Sequence, residues 1–313
     1  MSLARALELA EAAQGRAYPK PTVGAVVVVD GEVMGEGVTE PGGRHAEVVA
    51  LDQAGANARG GALYVTLEPC AHHGTTPPCT ERIASDGVAR VVVGARDPNP
   101  EAAGGIEILR AAGVDVELID SLQARRQNEA WRTWVAKHRP FVTYKVAVSL
   151  DGAIALPRRR FISGEASRRL VHELRAASDA VAVGMGTVRA DAPRLDAREV
   201  AVPRGQPRRL AFGRGPLPVG SELELRSGPL QAELASLAAE GVQSLLLEGG
   251  PTLAAAFLEA DLIDKLLVFV APLLAGDQGP GLLARVASAV EVSHLRARLV
   301  GEDALLEAYV HTP

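Results

Sequence analysis

The sequence predicts an α/β protein made of two successive sheet-and-helix units. Strand-like apolar runs alternate with helix-period segments along the whole chain, the pattern of sheets covered by helices. That pattern halts at His138-Arg139-Pro140 and restarts at once, placing a boundary between units 1–138 and 139–313. A chain of 313 residues also exceeds the ordinary size of a single core.

Leu3, Ala6, Leu7, Ala10 and Ala13 recur at helical spacing, so residues 2–14 predict an amphipathic helix. Pro19 and Pro21 end it and lead into a buried strand, 23–29. Asp30-Gly31 is a two-residue turn signal and joins that strand to a return strand, 32–38. A helix over 45–54, a strand over 62–66, a Pro/Cys/His-rich loop over 69–79 and a short helix follow. A strand at 90–94, a helix at 103–112, a strand at 114–118 and one long helix at 121–137 complete the unit. The second unit opens with a strand over 141–148 and a turn at Ser149-Leu150-Asp151-Gly152. Helices are expected at 165–176, 230–240 and 251–260, with strands at 179–183, 208–212, 243–247, 265–270 and 303–310. Residues 192–207, rich in proline and arginine, read as irregular.

Hydrophobic residues make up 47% and aromatics only 4%, so Val, Leu and Ala must fill the cores. A net charge of −5 argues against a broad electrostatic grip on nucleic acid. No apolar run reaches the length of a membrane span, and the first residues lack the apolar segment of a signal peptide. With two cysteines and no sign of secretion, a metal or catalytic role is favoured over a disulfide. The expectation is a cytoplasmic enzyme acting on a small molecule, with neither nucleic acid nor membrane as partner.

His45-Ala46-Glu47 opens a helix, Cys70 follows Pro69 at a strand end, and Cys79 follows Pro77-Pro78. Imidazole and thiolate are preferred zinc ligands, and a catalytic zinc takes three protein ligands and keeps a fourth position for water. His45, Cys70 and Cys79 supply three. Helix N-termini at His45 and Cys79 favour the thiolates. Glu47 is the expected carrier of the water's proton to a ring nitrogen and a departing amine. The pattern matches the H-x-E and P-C parts of the zinc-deaminase signature, but eight residues, not two, separate the cysteines. The competing reading is a closed structural zinc with His72 or His73 as fourth ligand, in a module that binds nucleic acid.

Pro21-Thr22-Val23-Gly24-Ala25-Val26, His45-Ala46-Glu47-Val48, Tyr64 through Gly74, Thr76-Pro77-Pro78-Cys79 and Asp97-Pro98-Asn99-Pro100 resemble the deaminase half of the bifunctional riboflavin biosynthesis deaminase/reductase family. The resemblance implies a cytidine-deaminase-like three-layer domain that removes the 2-amino group of a diaminopyrimidinone carrying a phosphoribosylamino arm. Two departures stand out: Lys20 replaces the usual Asn, and Thr75 replaces a usual basic residue.

Leu246-Leu247-Glu248-Gly249-Gly250-Pro251-Thr252 reads as a strand, a Gly-rich turn and a helix, an arrangement whose free N–H groups suit phosphate. Together with Tyr144 through Gly152, Phe161-Ile162-Ser163, Leu174-Arg175 and Gly186 through Pro193, it resembles the reductase half of the same family. That likeness implies a dihydrofolate-reductase-like α/β domain using NADPH to reduce the ribosyl arm to ribityl. By position it implies cofactor contacts at Ala147, Phe161, Thr187, Asp191, Gly250, Pro251, Thr252, Leu253, Ala254, Ala255 and Ala256. It implies substrate contacts at Arg159, Arg175, Leu195, Arg198 and Glu248, with Arg175 and Arg198 suited to clamp phosphate. Here Arg158-Arg159-Arg160 replaces a Gly/Ser-rich stretch, Phe161 a tryptophan, and Gly213-Arg214 an Asp/Ser-like end, which makes Arg214 a candidate for the 2′-phosphate of NADPH. The family also implies a homodimer through the second domain. The altered loop 152–161 keeps open an alternative, a deaminase whose reductase-like half lacks activity.

Overall fold

The structure, a computed structural model, describes residues 2–73, 77–157, 159–284 and 288–313. The chain divides into two compact units, residues 1–137 and 138–312.

In the first unit the elements are α1 (Ser2–Ala12), β1 (Gly24–Val29), β2 (Glu32–Val38), α2 (Ala46–Ala54), β3 (Ala62–Val65), α3 (Cys79–Ser85), β4 (Arg90–Val93), α4 (Gly105–Ala111), β5 (Asp115–Leu118), α5 (Leu122–Gln127) and α6 (Glu129–Lys137). The sheet order is β2-β1-β3-β4-β5. β1 pairs antiparallel with β2 and β3, whereas β3, β4 and β5 are parallel. The Asp30-Gly31 turn has φ of 50° and 85°, the left-handed pair that a twisted hairpin demands. Two glycines let α2 sit directly on β2. A Cβ at Gly35 would lie 2.1 Å from the Ala50 carbonyl oxygen, and one at Gly37 2.2 Å from that of Ala46. This close seating brings the start of α2 to the carboxyl end of β3. Ala25, Val27, Leu63, Val65, Val91 and Val93 from the sheet meet Leu51, Ile83, Ile106 and Leu109 in one core.

The expected single helix over 121–137 is broken at Asn128. Its buried side chain accepts from the Thr22 N–H and donates to the Thr22 carbonyl, both at 2.9 Å. This two-sided bond across 106 residues outweighs the helical periodicity.

The second unit holds β6 (Phe141–Ser149), α7 (Glu165–Ala177), β7 (Ala180–Gly184), α8 (Met185–Asp191), β8 (Arg208–Phe212), β9 (Glu224–Arg226), α9 (Leu230–Ala239), β10 (Ser244–Leu247), α10 (Pro251–Glu259), β11 (Lys265–Ala271), β12 (Ser293–Val300) and β13 (Asp303–Tyr309). The eight strands run β12-β13-β11-β6-β10-β7-β8-β9. From β11 to β9 neighbours are parallel, and β13 and β12 close one edge antiparallel. Central strands β7 and β10 are almost wholly buried, as expected for parallel strands covered on both faces. The sequence pattern did not reveal α8, β9 or β12. α8 has only seven residues and includes Gly186, and β9 only three. β12 is exposed along nearly its whole length and so has no buried face to mark it.

Candidate active sites

The first site is assembled where β3 leaves the sheet. Glu68, buried just after β3, turns its carboxylate to the following loop: Oε1 accepts from the N–H groups of Gly104 and Ile106, and Oε2 from Asp97, all at 3.1 Å. Thus a buried acid fixes the backbone two residues before Cys70. His45 caps α2 in an extended conformation, and Cys79 is the first residue of α3. His45 Nδ1 lies 3.2 Å from Cys79 Sγ and 3.5 Å from Cys70 Sγ, and the Cys79 N–H donates to Cys70 Sγ at 3.3 Å.

All three ligand atoms fall within 4.8 Å of one another. A tetrahedral zinc with its usual N and S bond lengths sets ligand atoms about 3.5 Å apart, so this donor set fits that ion without rearrangement. Neither His72 nor His73 joins the cluster among the described residues; His73 is exposed and reaches Glu81 at 3.1 Å. The closed four-ligand reading therefore has no fourth side chain here. Hydrogen bonding from Cys79, reinforced by His45, lowers the Cys70 thiol, so this site favours a thiolate there. Burial raises the carboxyl of Glu47, which lies against Cys79 and His45 at the start of α2. A carboxyl whose neutral form is favoured by burial can accept and return a proton, which is what a proton carrier needs.

Two neighbouring segments complete this site. Asp97 accepts from the Asn99 N–H at 2.8 Å and is pushed up to about 6 by burial. Lys20 is exposed, with its ammonium against Gly43, and its charge acts on His45. Thr75 and Thr76 lie outside the described residues.

In the second unit Glu248 directly follows β10 at the carboxyl edge of the sheet, where α/β folds bind ligands. Arg175 grips it bidentately, Nε to Oε1 at 2.6 Å and Nη2 to Oε2 at 3.0 Å, and Arg175 also donates to the Asp196 carbonyl at 3.2 Å. Lys145 Nζ stands 3.7 Å from Glu248 Oε2. Burial opposes the Glu248 charge, but Lys145 and Arg175 overcome it and hold the carboxyl below its ordinary value. Burial lowers Lys145. Sequence reasoning missed Lys145, although a lysine inside the apolar strand Phe141–Ser149 was the available signal.

Gly250 caps α10 and Pro251 occupies its first turn, leaving that turn's N–H groups without a side-chain cap. Thr187 Oγ1 faces the turn, 3.7 Å from where a Gly250 Cβ would stand. Thr252 is exposed, Ala256 is half-buried, Ala254 and Ala255 are buried in the helix, and Leu253 packs against Gly184 and Gly249. This cradle, with backbone donors at its floor, fits a dinucleotide's phosphates. Ala147 is half-buried on β6 beside the cluster of Val171, Leu267 and Phe269. Phe161 is exposed, with the guanidinium groups of Arg160 and Arg168 at 5.2 and 4.9 Å from its ring centre. Arg159 donates to the Phe161 carbonyl at 3.0 Å and lines a cleft of about 370 Å³ with Ile162, Gly164 and Asp303. Asp191 and Arg214 are exposed at the ends of α8 and β8, and Arg158 lies outside the described residues.

Leu195 is 2% exposed, its side chain in the core cluster of Val183, Met185 and Val188, which leaves its backbone for any contact with substrate. Arg175 is committed to Glu248 and Arg198 to the Asp196 carboxylate, so neither guanidinium waits unpaired for phosphate. Glu248 lies 73 residues from Arg175 in the chain, whereas Asp196 stands two residues before Arg198.

Residues 2–95 match the cytidine and deoxycytidylate deaminase zinc-binding region, and residues 140–219 and 223–306 match the RibD C-terminal domain. The chain is 36% identical to the riboflavin biosynthesis protein RibD of Aquifex aeolicus, over 96% of this chain and 95% of that one. The chain belongs to the RibD family. Among solved structures it is similar to RibD of Acinetobacter baumannii, with 35% identity, a TM-score of 0.82 and coverage of 98% and 97% of the two chains. It is also similar to a Thermotoga maritima diaminohydroxyphosphoribosylaminopyrimidine deaminase/5-amino-6-(5-phosphoribosylamino)uracil reductase, with 33% identity, a TM-score of 0.81 and the same coverage. As a RibD-family protein it is a bifunctional enzyme of riboflavin biosynthesis, a deaminase followed by a reductase. His45, Cys70 and Cys79 form the zinc site of the deaminase, and the reductase is of the NADPH-using type. Neither the closed zinc module nor the deaminase with a silent second half is favoured. Among the described residues no helix is long and apolar enough to cross a membrane.

Proposed function

We propose that residues 1–138 hydrolyse the 2-amino group of 2,5-diamino-6-(5-phosphoribosylamino)pyrimidin-4(3H)-one, and that residues 139–313 then reduce the ribosyl arm of the product to ribityl. The observation that carries this reading is the three-ligand cluster with the buried carboxyl of Glu47 beside it. Zinc at His45, Cys70 and Cys79 supplies Lewis acidity and lowers the pKa of water. Glu47 carries one proton from the attacking water to the ring nitrogen and then the second, from the hydroxyl so formed, to the departing amine, so the water oxygen stays as the ring carbonyl and the amino group leaves as ammonia. Lys20 and the turn at Gly43 border this site.

In the reductase unit NADPH supplies the hydride. The Gly249-Gly250 turn, the first N–H groups of α10, Thr187 and Thr252 bind its phosphates. Ala147, Phe161 and Asp191 border the rest of the cofactor. Glu248, fixed by Arg175 and Lys145, orients the opened sugar of the substrate. Arg198, Arg159 and the backbone at Leu195 border the substrate's arm. Arg214, exposed after β8, meets the 2′-phosphate of NADPH. Arg214→Ala should raise the KM for NADPH about tenfold and leave that for NADH nearly unchanged. Unaltered selectivity between the two would remove Arg214 from this role.

The enzyme works in the cytoplasm, as expected of a biosynthetic enzyme on a small phosphorylated substrate; cell fractionation tests this. It pairs with a second copy along β12, whose outer edge carries the exposed Leu295 and Leu299. The deciding experiment is product analysis of the purified protein supplied with the diamino substrate. Ammonia release should need no NADPH, and NADPH consumption should follow only after deamination. If neither ammonia nor oxidised cofactor forms, the reading fails.

A further inference from the structure

We propose that Lys20 is the specificity-determining cation that receives the substrate's phosphate in the deaminase site. The inference rests on the deaminase reading above, whose substrate carries a phosphate at the end of its ribosyl arm. A phosphate dianion outside the metal cluster needs a cation that is near the cluster and free of other carboxylates. Several cations of this unit are already committed to carboxylates. Arg44 reaches Glu40 at 3.5 Å and Asp52 at 2.5 Å, and Arg82 reaches Asp52 and Asp86, both at 2.8 Å. Arg96 meets Glu107 at 3.2 Å and Arg125 meets Asp120 at 3.6 Å.

Lys20 differs from them. Among the described residues its ammonium has no carboxylate within ion-pair distance, yet its charge bears on His45. Its position is built from both sides. The Lys20 N–H donates to the Ala17 carbonyl at 2.9 Å, and Asn128 clamps the backbone two residues on, at Thr22. The ammonium end rests on the turn before His45, closed by the Gly43 N–H to the Glu40 carbonyl at 2.8 Å. Gly43 has φ of +88°, and a Cβ there would stand 2.6 Å from Lys20 Nζ. The glycine thus leaves the space in which the ammonium sits. A cation held at the rim of the metal cluster, without an internal partner, is arranged to meet an anion from solution.

The test compares the zinc-loaded full-length enzyme with its Lys20→Ala, Lys20→Arg and Gly43→Ala variants, each given the phosphorylated substrate and its dephosphorylated counterpart. Lys20→Ala should raise KM for the phosphorylated form about 10- to 100-fold with kcat within about twofold, and leave the dephosphorylated form unaffected. Lys20→Arg should restore most of the loss, and Gly43→Ala, which displaces the ammonium, should repeat it. Inorganic phosphate should compete in the parent enzyme and much less in Lys20→Ala. Metal content and reductase activity on already deaminated substrate check that the variants are folded. An equal loss on both substrates, or no change in KM, overturns the proposal. Failure of the parent enzyme to release ammonia from either substrate overturns the deaminase reading instead.

Discussion

At the residue scale, Glu47 and the three ligands divide one task. The ligands hold the ion, whereas in the proposed mechanism Glu47 moves protons beside it. Glu47→Gln should keep zinc and lose deamination by at least about 100-fold, the size of a general-base contribution, while Cys70→Ala or Cys79→Ala should lose both metal and activity. Reductase turnover of already deaminated substrate should survive all three, and loss of zinc in Glu47→Gln would show the roles misassigned. Asp97 gives a stability prediction with a definite sign. Burial raises its carboxyl from the ordinary 3.8 to about 6, so between those values the folded state holds a proton that the unfolded chain has released. Its contribution is full below pH 3.8 and is lost as pH rises through about 6. Discounted for partial exposure, the swing is about 1–2 kcal/mol. Asp97→Asn, which can still accept from Asn99, should therefore gain on the parent in urea midpoint between pH 4 and pH 7; a difference constant with pH would refute the account. His45, Cys70 and Cys79 were legible because few side chains bind zinc and they stand in a telling order. Lys145 was not, since a lone lysine in a strand has no pattern to announce its partner Glu248, 103 residues away.

At the element scale, the deaminase site depends on how closely α2 approaches β2. The backbone of α2 lies where a side chain at Gly35 or Gly37 would begin. Gly35→Ala must push the helix outward, and His45 and Glu47 with it, at a cost of about 1–3 kcal/mol. The expected readout is a lower urea midpoint together with weaker zinc retention. Gly42→Ala, which meets nothing within 4 Å, is the matched control and should behave as the parent. Should Gly35→Ala match the control in both measurements, the close seating is not what holds the site. The hairpin β1–β2 was readable from Asp30-Gly31 because the turn's dihedrals restrict residue choice so strongly. The break at Asn128 was not readable: its cause is Thr22, brought near only by folding.

At the scale of the whole molecule, the eight-stranded sheet ends in β12, an eight-residue edge strand with Leu295 65% and Leu299 74% exposed. An edge of this length with apolar side chains pairs with another chain unless something blunts it. Replacing both leucines with lysine should convert the proposed dimer to a monomer by light scattering, with the far-ultraviolet spectrum retained. A parent protein already monomeric at micromolar concentration would rule out this interface. The α/β class, the restart near Pro140, the hairpin turn, the zinc ligands and the Gly-rich turn before α10 were legible in the chain alone. Each of these is imposed locally, by hydrophobic period, by dihedral limits or by the few side chains that bind the metal. Tertiary structure alone decided that Arg175 and Lys145 converge on Glu248, that Leu195 faces the core, that Asn128 splits a helix and that Lys20 lies over Gly43. These depend on groups remote in sequence meeting in space, and the energy of such meetings leaves no local trace in the chain.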